Sequence, residues 1–219
     1  TTMVQAQEVK QIPQISVSGE GKIKVTPDEA TITVAVENTG KESAEVKKKN
    51  DETVDKVLKV IKQAGIATAD FQTQRVNLYK NYDYNTKKYS YVANQTISIH
   101  LKDLVKYDKL MMDLVDSGMN NIQGVEFQSS KIKEFERQAR KEAMLNAKEK
   151  ATDYVSVLAG QKVGKALLIS DNSSTNYPRP PMYAMMKESM VTGDAMPRET
   201  LAIGEIEITS TVTVSFLLE

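Results

Sequence analysis

The first pattern with possible chemistry is a Gly-x-Gly near the start of the chain, within ISVSGEGKIKVTPDE at residues 15–29. Glycine loops of this kind bind phosphate when a helix follows and its N-terminus faces the ligand. Here Lys24 stands where the dinucleotide fingerprint needs a third glycine, and an alternating strand pattern continues instead of a helix. The sequence therefore predicts that Gly19 and Gly21 form a bulge or corner in a sheet, not a nucleotide site.

The single histidine is the next candidate for chemistry. His100 alternates with Ile99 and Leu101, so it is expected on the opposite face of a strand from them. With no second histidine and no cysteine, a zinc site would need a set of carboxylate ligands alone. No Gly-x-Ser-x-Gly elbow accompanies it to suggest a serine hydrolase. We expect His100 to be a structural histidine with a hydrogen-bond partner.

Neighbouring carboxylates are common in a chain with 29 acidic residues, and their chance occurrence explains them first. A glycosidase pair needs a cleft and a set separation between its two carboxyl groups, which sequence does not supply. We therefore expect the following pairs to face solvent: Asp28 with Glu29, Asp51 with Asp55, and Glu205 with Glu207. The sequence predicts no catalytic residue, no cofactor and no metal ligand.

Tyrosines are concentrated around one predicted hairpin tip. Five of the nine tyrosines lie between residues 79 and 91, and the polar stretch 81–88 separates two strand-like segments. Cross-strand aromatic pairs would stabilise an exposed ribbon. Tyrosine is also enriched at protein interfaces. Both interpretations stay open, and the candidate oligomer or partner contacts are Tyr79, Tyr82, Tyr84, Tyr89 and Tyr91.

A second candidate contact is a long segment at residues 171–202, which holds four of the six prolines and five of the ten methionines. Loops beyond about 15 residues are normally functional, ordered by a partner or disordered. Its thioethers could bind Cu(I), but no histidine or cysteine accompanies them. The sequence favours a flexible loop that contacts a neighbouring subunit. The candidate residues are Met182, Met185, Met186 and Met190.

The order of predicted elements indicates an α+β fold. After a polar tail at residues 1–14, the ranges 29–101 and 121–217 each read as strand, helix, strand, strand, and a helix at 104–117 links them. The two long helices are expected at about 41–64 and from 130 to about 158. We expect two βαββ-like units, with the long helices packed on one face of a mixed, mainly antiparallel sheet.

Composition excludes several classes of protein. The 29 basic and 29 acidic residues cancel, so the chain lacks the positive field of a typical nucleic-acid-binding protein. The absence of cysteine excludes thiol catalysis, disulfides and iron–sulfur ligation. No apolar run approaches the roughly 18 residues of a membrane-spanning helix, so no transmembrane segment is predicted.

Several separated segments together resemble one family. They are VSGEGKIKVTPDEA, GIATADFQTQRVNLYKNYDY, KKYSYVANQTISIHL and GMNNIQGVEFQSS. These are similar, in the same order, to the SIMPL domain family (DUF541), whose members include bacterial periplasmic immunogenic and oxidative stress defence proteins. The resemblance spans residues 15–219 as one SIMPL domain. Before the last strand only Gly204 and Glu205 match the family pattern.

The resemblance implies an α+β fold, a periplasmic or envelope location reached with a cleaved signal peptide that is not in this chain, and homo-oligomers. It implies no catalytic residues. The leading hypothesis is a non-enzymatic, envelope-associated scaffold or binding protein with a link to oxidative stress defence. Two alternatives stay open: a copper-binding or carboxylate-based envelope enzyme, and an adaptor for another envelope protein.

Overall fold

The computed structural model describes residues 12–173 and 201–219. Short 3₁₀ segments lie at Thr68–Asp70 and Leu104–Lys106. The strands and α-helices in the described parts are β1 (Gln14–Val25), β2 (Glu29–Gly40), α1 (Ser43–Gln63), β3 (Phe71–Asp83), β4 (Lys88–Leu101), α2 (Tyr107–Asp116), β5 (Asn121–Gln128), α3 (Ile132–Ser156), β6 (Val163–Asp171) and β7 (Ile206–Leu218).

The described residues divide into two compact units. One contains residues 12–25, 131–173 and 205–219, with a three-stranded sheet in the order β1-β7-β6. The other contains residues 26–130 and 201–204, with a four-stranded sheet in the order β3-β4-β2-β5. The predicted α+β class is confirmed. The methionines at 182, 185, 186 and 190 lie outside the described residues.

All strand pairings in residues 12–173 and 201–219 are antiparallel. The sequence predicted some parallel pairing, because a helical crossover normally returns the chain parallel to the strand before it. In the four-stranded sheet β4 lies between β2 and β3, so the two strands that flank α1 are not neighbours. The chain turns back from β3 in a hairpin, so the antiparallel β4 occupies the place beside β2 that a parallel β3 would have taken.

The two units repeat one topology. One runs β2, α1, β3, β4 and the other runs β1, α3, β6, β7, and in both sheets the third of these strands lies between the first and the second. The first strand of the second set is β1, from the start of the chain. The strand predicted for that place, β5, pairs instead with β2. The whole four-stranded unit is thus inserted between β1 and α3.

The core of the four-stranded unit forms where α1 and α2 pack on one face of β2 and β4. Ile32, Ile97 and Ile99 are fully buried against Val57 and Leu114 of the two helices. Asn50 of α1 is also buried, and its side-chain amide donates to the carbonyl oxygens of Val36 (3.0 Å) and Ala93 (3.3 Å). This polar contact joins α1 to both central strands.

Two residues mark helix ends in this unit: Asp103 caps the 3₁₀ turn that precedes α2, and Gly65 ends α1. The Asp103 carboxylate accepts the backbone N–H of Val105 at 3.1 Å, at the start of the 3₁₀ turn before α2. Gly65 follows α1 with a φ of 78°, the left-handed conformation that ends many helices. The first predicted helix, 41–64, is confirmed to within two residues at each end.

The Gly-x-Gly motif lies in the middle of β1, which pairs with β7 in unbroken register. The predicted bulge or corner is therefore wrong. A Cβ on Gly19 would overlap the carbonyl oxygen of Ala143 and lie 2.6 Å from the backbone nitrogen of Ala147 in α3. Gly21 meets the backbone of Ala139 and Ala143 in the same way. The glycines are needed because helix and strand backbones touch.

Alanine on the helix side makes the same close approach possible. One side of α3 carries a fully buried alanine at every fourth position, and we call this row the alanine stripe. Its members are Ala139, Ala143, Ala147 and Ala151. Asn146 of α3 accepts the backbone N–H of Glu20 at 3.1 Å, and Lys150 donates to the carbonyl oxygen of Ser18 at 2.9 Å. The helix thus also binds backbone groups on the edge strand β1.

No helix in the described parts of the chain has the length and apolar character needed to span a bilayer.

We expect Gly19→Ala to lower the free energy of unfolding by about 2–3 kcal/mol, because the added methyl forces α3 away from β1. Urea denaturation followed by circular dichroism measures this change. Gly124→Ala in β5 is the matched control, since a Cβ there meets nothing within 4 Å, and its effect should stay below about 1 kcal/mol. Equal stability of the Gly19→Ala variant and the parent protein would contradict the backbone contact.

Candidate functional site

The candidate site is the ribbon formed by β3 and β4. α1 packs on β2 and β4, and residues 72–81 of β3 are exposed. β3 is also an edge strand, since β4 is its one neighbour among the strands of the described residues. A 13-residue edge strand therefore presents both side chains and unpaired backbone groups to solvent.

A register shift decides which side chains share a face of the ribbon. The pairing of β3 with β4 slips between Thr73 and Arg75, so Gln74 is an extra residue with no cross-strand partner. Such a bulge moves every later side chain to the opposite face. Beyond it, Val76 and Leu78 fall on the same side of the sheet as the helices, although α1 does not cover them.

Cross-strand partners identify the other members of this face. Lys80 pairs with Tyr91 and Tyr82 pairs with Tyr89, in register with the pair of Leu78 and Ala93. We call the resulting surface the aromatic face, and we include in it Tyr84, the residue at the hairpin tip that contacts Tyr82. The members of the aromatic face are Val76, Leu78, Lys80, Tyr82, Tyr84, Tyr89 and Tyr91. Tyr79 pairs with Val92 and belongs to the other side of the ribbon.

The tyrosines at the tip contact one another. The Tyr82 ring lies 4.9 Å from the Tyr84 ring, edge to face, and 4.7 Å from the Tyr89 ring. Lys80 Nζ lies 4.2 Å from the centroid of the Tyr89 ring. Each such aromatic pair contributes about 0.5–1.5 kcal/mol. The pairing therefore stabilises the ribbon, which is one of the two interpretations that the sequence left open.

Several side chains of the aromatic face remain accessible to solvent although its tyrosines contact one another. Tyr84 is 83% exposed, Tyr89 is 60% exposed, and Val76 is 62% exposed. Exposed apolar groups that cluster on one face are typical of interaction surfaces. The second interpretation, a contact with another protein molecule, is thus compatible with the geometry of the first.

Asp83 organises the turn that carries Tyr84. Its carboxylate accepts hydrogen bonds from the Thr86 hydroxyl (2.8 Å) and from the backbone N–H groups of Asn85 (2.8 Å) and Thr86 (3.3 Å). Lys87 completes the turn with a left-handed φ of 52°. The hydroxyl of Thr86, followed by the two N–H groups, lowers the pKa of Asp83 below the usual value for an aspartate. The alternating and helical patterns of the sequence do not predict this Asx turn.

His100 lies elsewhere in the four-stranded unit, on the opposite side of β4 from Ile99 and Leu101, as predicted. Its Nε2 lies 3.0 Å from Glu29 Oε2, and its Nδ1 lies 3.8 Å from Asp70 Oδ1. Lys102 Nζ in turn lies 2.8 Å from Asp70 Oδ2. His100 therefore has the hydrogen-bond partner that the sequence predicted, and its structural role stays a prediction.

The carboxylate pairs separate into two groups. Asp51 and Asp55 form exposed ion pairs with lysines of their own helix, as expected. Glu207 is exposed as well, with Lys22 Nζ 4.0 Å from its carboxylate. Glu29 differs, because its side chain is largely buried beside His100. Within residues 12–173 and 201–219 no three His, Asp or Glu side chains converge to hold a metal ion.

The family assignment follows from the sequence over almost the whole of this fold. Residues 15–216 match the SIMPL family, described as a protein of unknown function (DUF541). The chain belongs to the SIMPL family. Both compact units and the ribbon fall within the matched range, so the architecture described above is that of a SIMPL domain.

Two bacterial relatives match nearly the whole chain, and a mouse relative matches three quarters of it. The Escherichia coli "Uncharacterized protein YggE" is 29% identical, over 98% of this chain and 87% of its own length. The "26 kDa periplasmic immunogenic protein" of Brucella melitensis is 26% identical, over 97% of this chain and 87% of its own length. The mouse "Interleukin-1 receptor-associated kinase 1-binding protein 1" is 29% identical, over 75% of this chain and 62% of its own length.

We expect the hairpin turn to lose order as the pH falls below about 4. Asp83 has a lower pKa in the folded turn than in an unfolded chain, where aspartate titrates near 3.9. Its stabilising effect is therefore complete above that value and is lost as the pH falls through the folded pKa. In NMR spectra the amide resonances of Asn85 and Thr86 should shift over this pH range.

Asp83→Ala should abolish that pH dependence and leave the two amides at disordered positions throughout. Asp171→Ala is the matched control, since the pKa of Asp171 is also lowered, by the hydroxyl and N–H of Ser173 in the other unit. Resonances of Asn85 and Thr86 that titrate normally in the Asp83→Ala protein would show that another group controls the turn.

Proposed function

We propose that this SIMPL protein is a non-enzymatic protein of the cell envelope that forms homo-oligomers and serves as a scaffold or binding module. The observation that carries the proposal is the aromatic face on the β3–β4 ribbon. It combines exposed tyrosines and aliphatic side chains with an edge strand whose backbone groups are available for pairing. An added strand would gain main-chain hydrogen bonds and apolar contacts together.

A comparison of two edge strands supports this use of β3. On β1, Asn146 and Lys150 of α3 bind backbone groups of Glu20 and Ser18. β3 has exposed side chains along most of its length, and no helix within residues 12–173 and 201–219 packs beside it in the same way. Natural proteins normally protect a long edge strand of this kind. We infer that a second copy of the chain supplies the protection.

The envelope location is part of the proposal. It is supported by the Brucella relative, which is named as periplasmic, and it carries with it the removal of a signal peptide and the link to oxidative stress defence that the family resemblance implies. The proposal assigns no catalytic residue, and it leaves the stress link without a molecular mechanism.

A second candidate is an adaptor that binds a different protein. The mouse relative is named as a binding protein for a receptor-associated kinase, which favours protein recognition as a use of this fold. Four basic residues and one acidic residue lie in the range 75–91, so an acidic partner would match the ribbon. Co-purification from the native host, with and without the substitutions described next, distinguishes this candidate from self-association.

We expect the protein to be an oligomer at micromolar concentration and the combined variant Tyr82→Ser, Tyr84→Ser, Tyr89→Ser, Tyr91→Ser to be largely monomeric. Serine removes most of the apolar area that the aromatic face offers to a partner. Size-exclusion chromatography with light scattering measures the mass of each species.

Tyr154→Ser is the matched control, because Tyr154 is a similarly exposed tyrosine that belongs to α3 and so to the other compact unit. Its mass should equal that of the parent protein, and circular dichroism should show that all variants are folded. A monomeric parent protein, or an oligomer that persists unchanged in the combined variant, would sink the proposed role of the aromatic face.

A further inference from the structure

The second surface of interest is the exposed side of α2 and the 3₁₀ turn before it. Four charged residues lie there at intervals of three, four and three: Lys106, Lys109, Asp113 and Asp116. This spacing places all four along one side of a helix. They line the α2 side of an open cleft of about 690 Å³, whose other wall is formed by Val60, Gln63 and Ala64 of α1.

The order of the charges is opposite to the one that the helix itself favours. Within this row of four, lysines stand at the N-terminal end, where the helix dipole is positive, and aspartates stand at the C-terminal end, where it is negative; Asp108, also in the first turn, lies outside the row. Lys109 Nζ and Asp113 Oδ2 form an exposed ion pair at 2.6 Å, in the less favourable Lys-to-Asp direction. The stability of α2 therefore does not explain this arrangement.

An antiparallel second copy of α2 does explain it. The four positions are symmetric about residue 111, and the sign of the charge reverses across that point. When two such helices pack antiparallel around a twofold axis, each lysine of one copy lies opposite an aspartate of the other. Lys106 meets Asp116 of the second copy, and Lys109 meets Asp113, twice each.

Met112 supplies an apolar side chain beside this row of charges. It is 62% exposed and, at about 100° per residue, lies to one side of the row, so it flanks the contact between the two copies at its edge. Such self-complementary patches are typical of twofold dimers. Methionine side chains adapt readily to a symmetric contact of this kind.

We propose that α2 is a self-association surface through which two copies of this chain pair antiparallel. The contact goes beyond the proposed ribbon contact, uses none of its residues, and can be true or false independently of it. Two facing helices of this length bury less area than a standard stable interface, so the pairing is weak on its own. Combined with the ribbon contact it would build assemblies larger than a dimer.

The test uses the full chain with the four ribbon tyrosines changed to serine, so that any remaining association reports on α2 alone. Sedimentation velocity over a hundredfold concentration range should show a monomer–dimer equilibrium in this parent. One variant carries Lys106→Asp and Lys109→Asp, and the other carries Asp113→Lys and Asp116→Lys. Each places like charges opposite one another in its own dimer, so we expect at least tenfold weaker self-association.

Mixing the two variants in equal amounts should restore the dimer, because every facing pair is then of opposite sign. Both variants also place their new charges as the helix dipole favours, so they should fold. The matched control repeats the exchange on α1, with Lys47→Asp and Lys59→Asp in one protein and Asp51→Lys and Asp55→Lys in the other. These residues form exposed ion pairs of the same type, and their exchange should leave the parent dimer unchanged.

Three results would overturn the proposal. They are a strictly monomeric ribbon-substituted parent, undiminished self-association of either α2 variant, and a mixture of the α2 variants that forms no more dimer than each α2 variant forms alone. None of them bears on the ribbon contact, which the tyrosine substitutions test separately in the protein with an unaltered α2.

Discussion

A single helix can cover two strands of a sheet but not three, and the long helix of each unit follows that constraint. A helix with its side chains is about 10–12 Å wide, whereas neighbouring strands lie about 4.8 Å apart. α3 packs on β1 and β7, and α1 packs on β2 and β4. β6 in one unit and β3 in the other lie beyond that pair, next to β7 and β4, and most of their side chains are in solvent. The repeated strand order places the second strand of each set in this uncovered position.

The contact of α3 with β1 shows how tightly the covered strands are held. Gly19 and Gly21 have no side chain to separate β1 from α3 at these two positions, and the alanines of α3 keep the facing surface of the helix flat. The sequence motif that resembles a phosphate loop is thus a packing device. β6 retains three exposed apolar side chains, Leu167, Leu168 and Ile169. β3 retains the aromatic face, which is larger and is fixed at its tip by the Asp83 turn.

Sequence patterns predicted the class of fold and most elements, because alternation and helical spacing report which face of a segment is buried. They did not predict which strands are neighbours. β1 pairs with β7 from the opposite end of the chain, and nothing in either strand specifies that partner. The concentration of tyrosines was visible in the sequence, but their division between two faces depends on the unpaired Gln74. The glycine motif was misread because the residues that require it lie more than a hundred positions away, in α3.

The most direct test of the central claim is hydrogen exchange at the free edge of β3. The amides of interest are those in residues 76–82 that make no hydrogen bond to β4. Their exchange should be compared at concentrations below and above the onset of association, with the amides of α1 as an internal reference. Strand addition at the aromatic face predicts that these amides become protected only in the assembled protein. Equally fast exchange in monomer and oligomer would show that the copies meet elsewhere and would contradict the account.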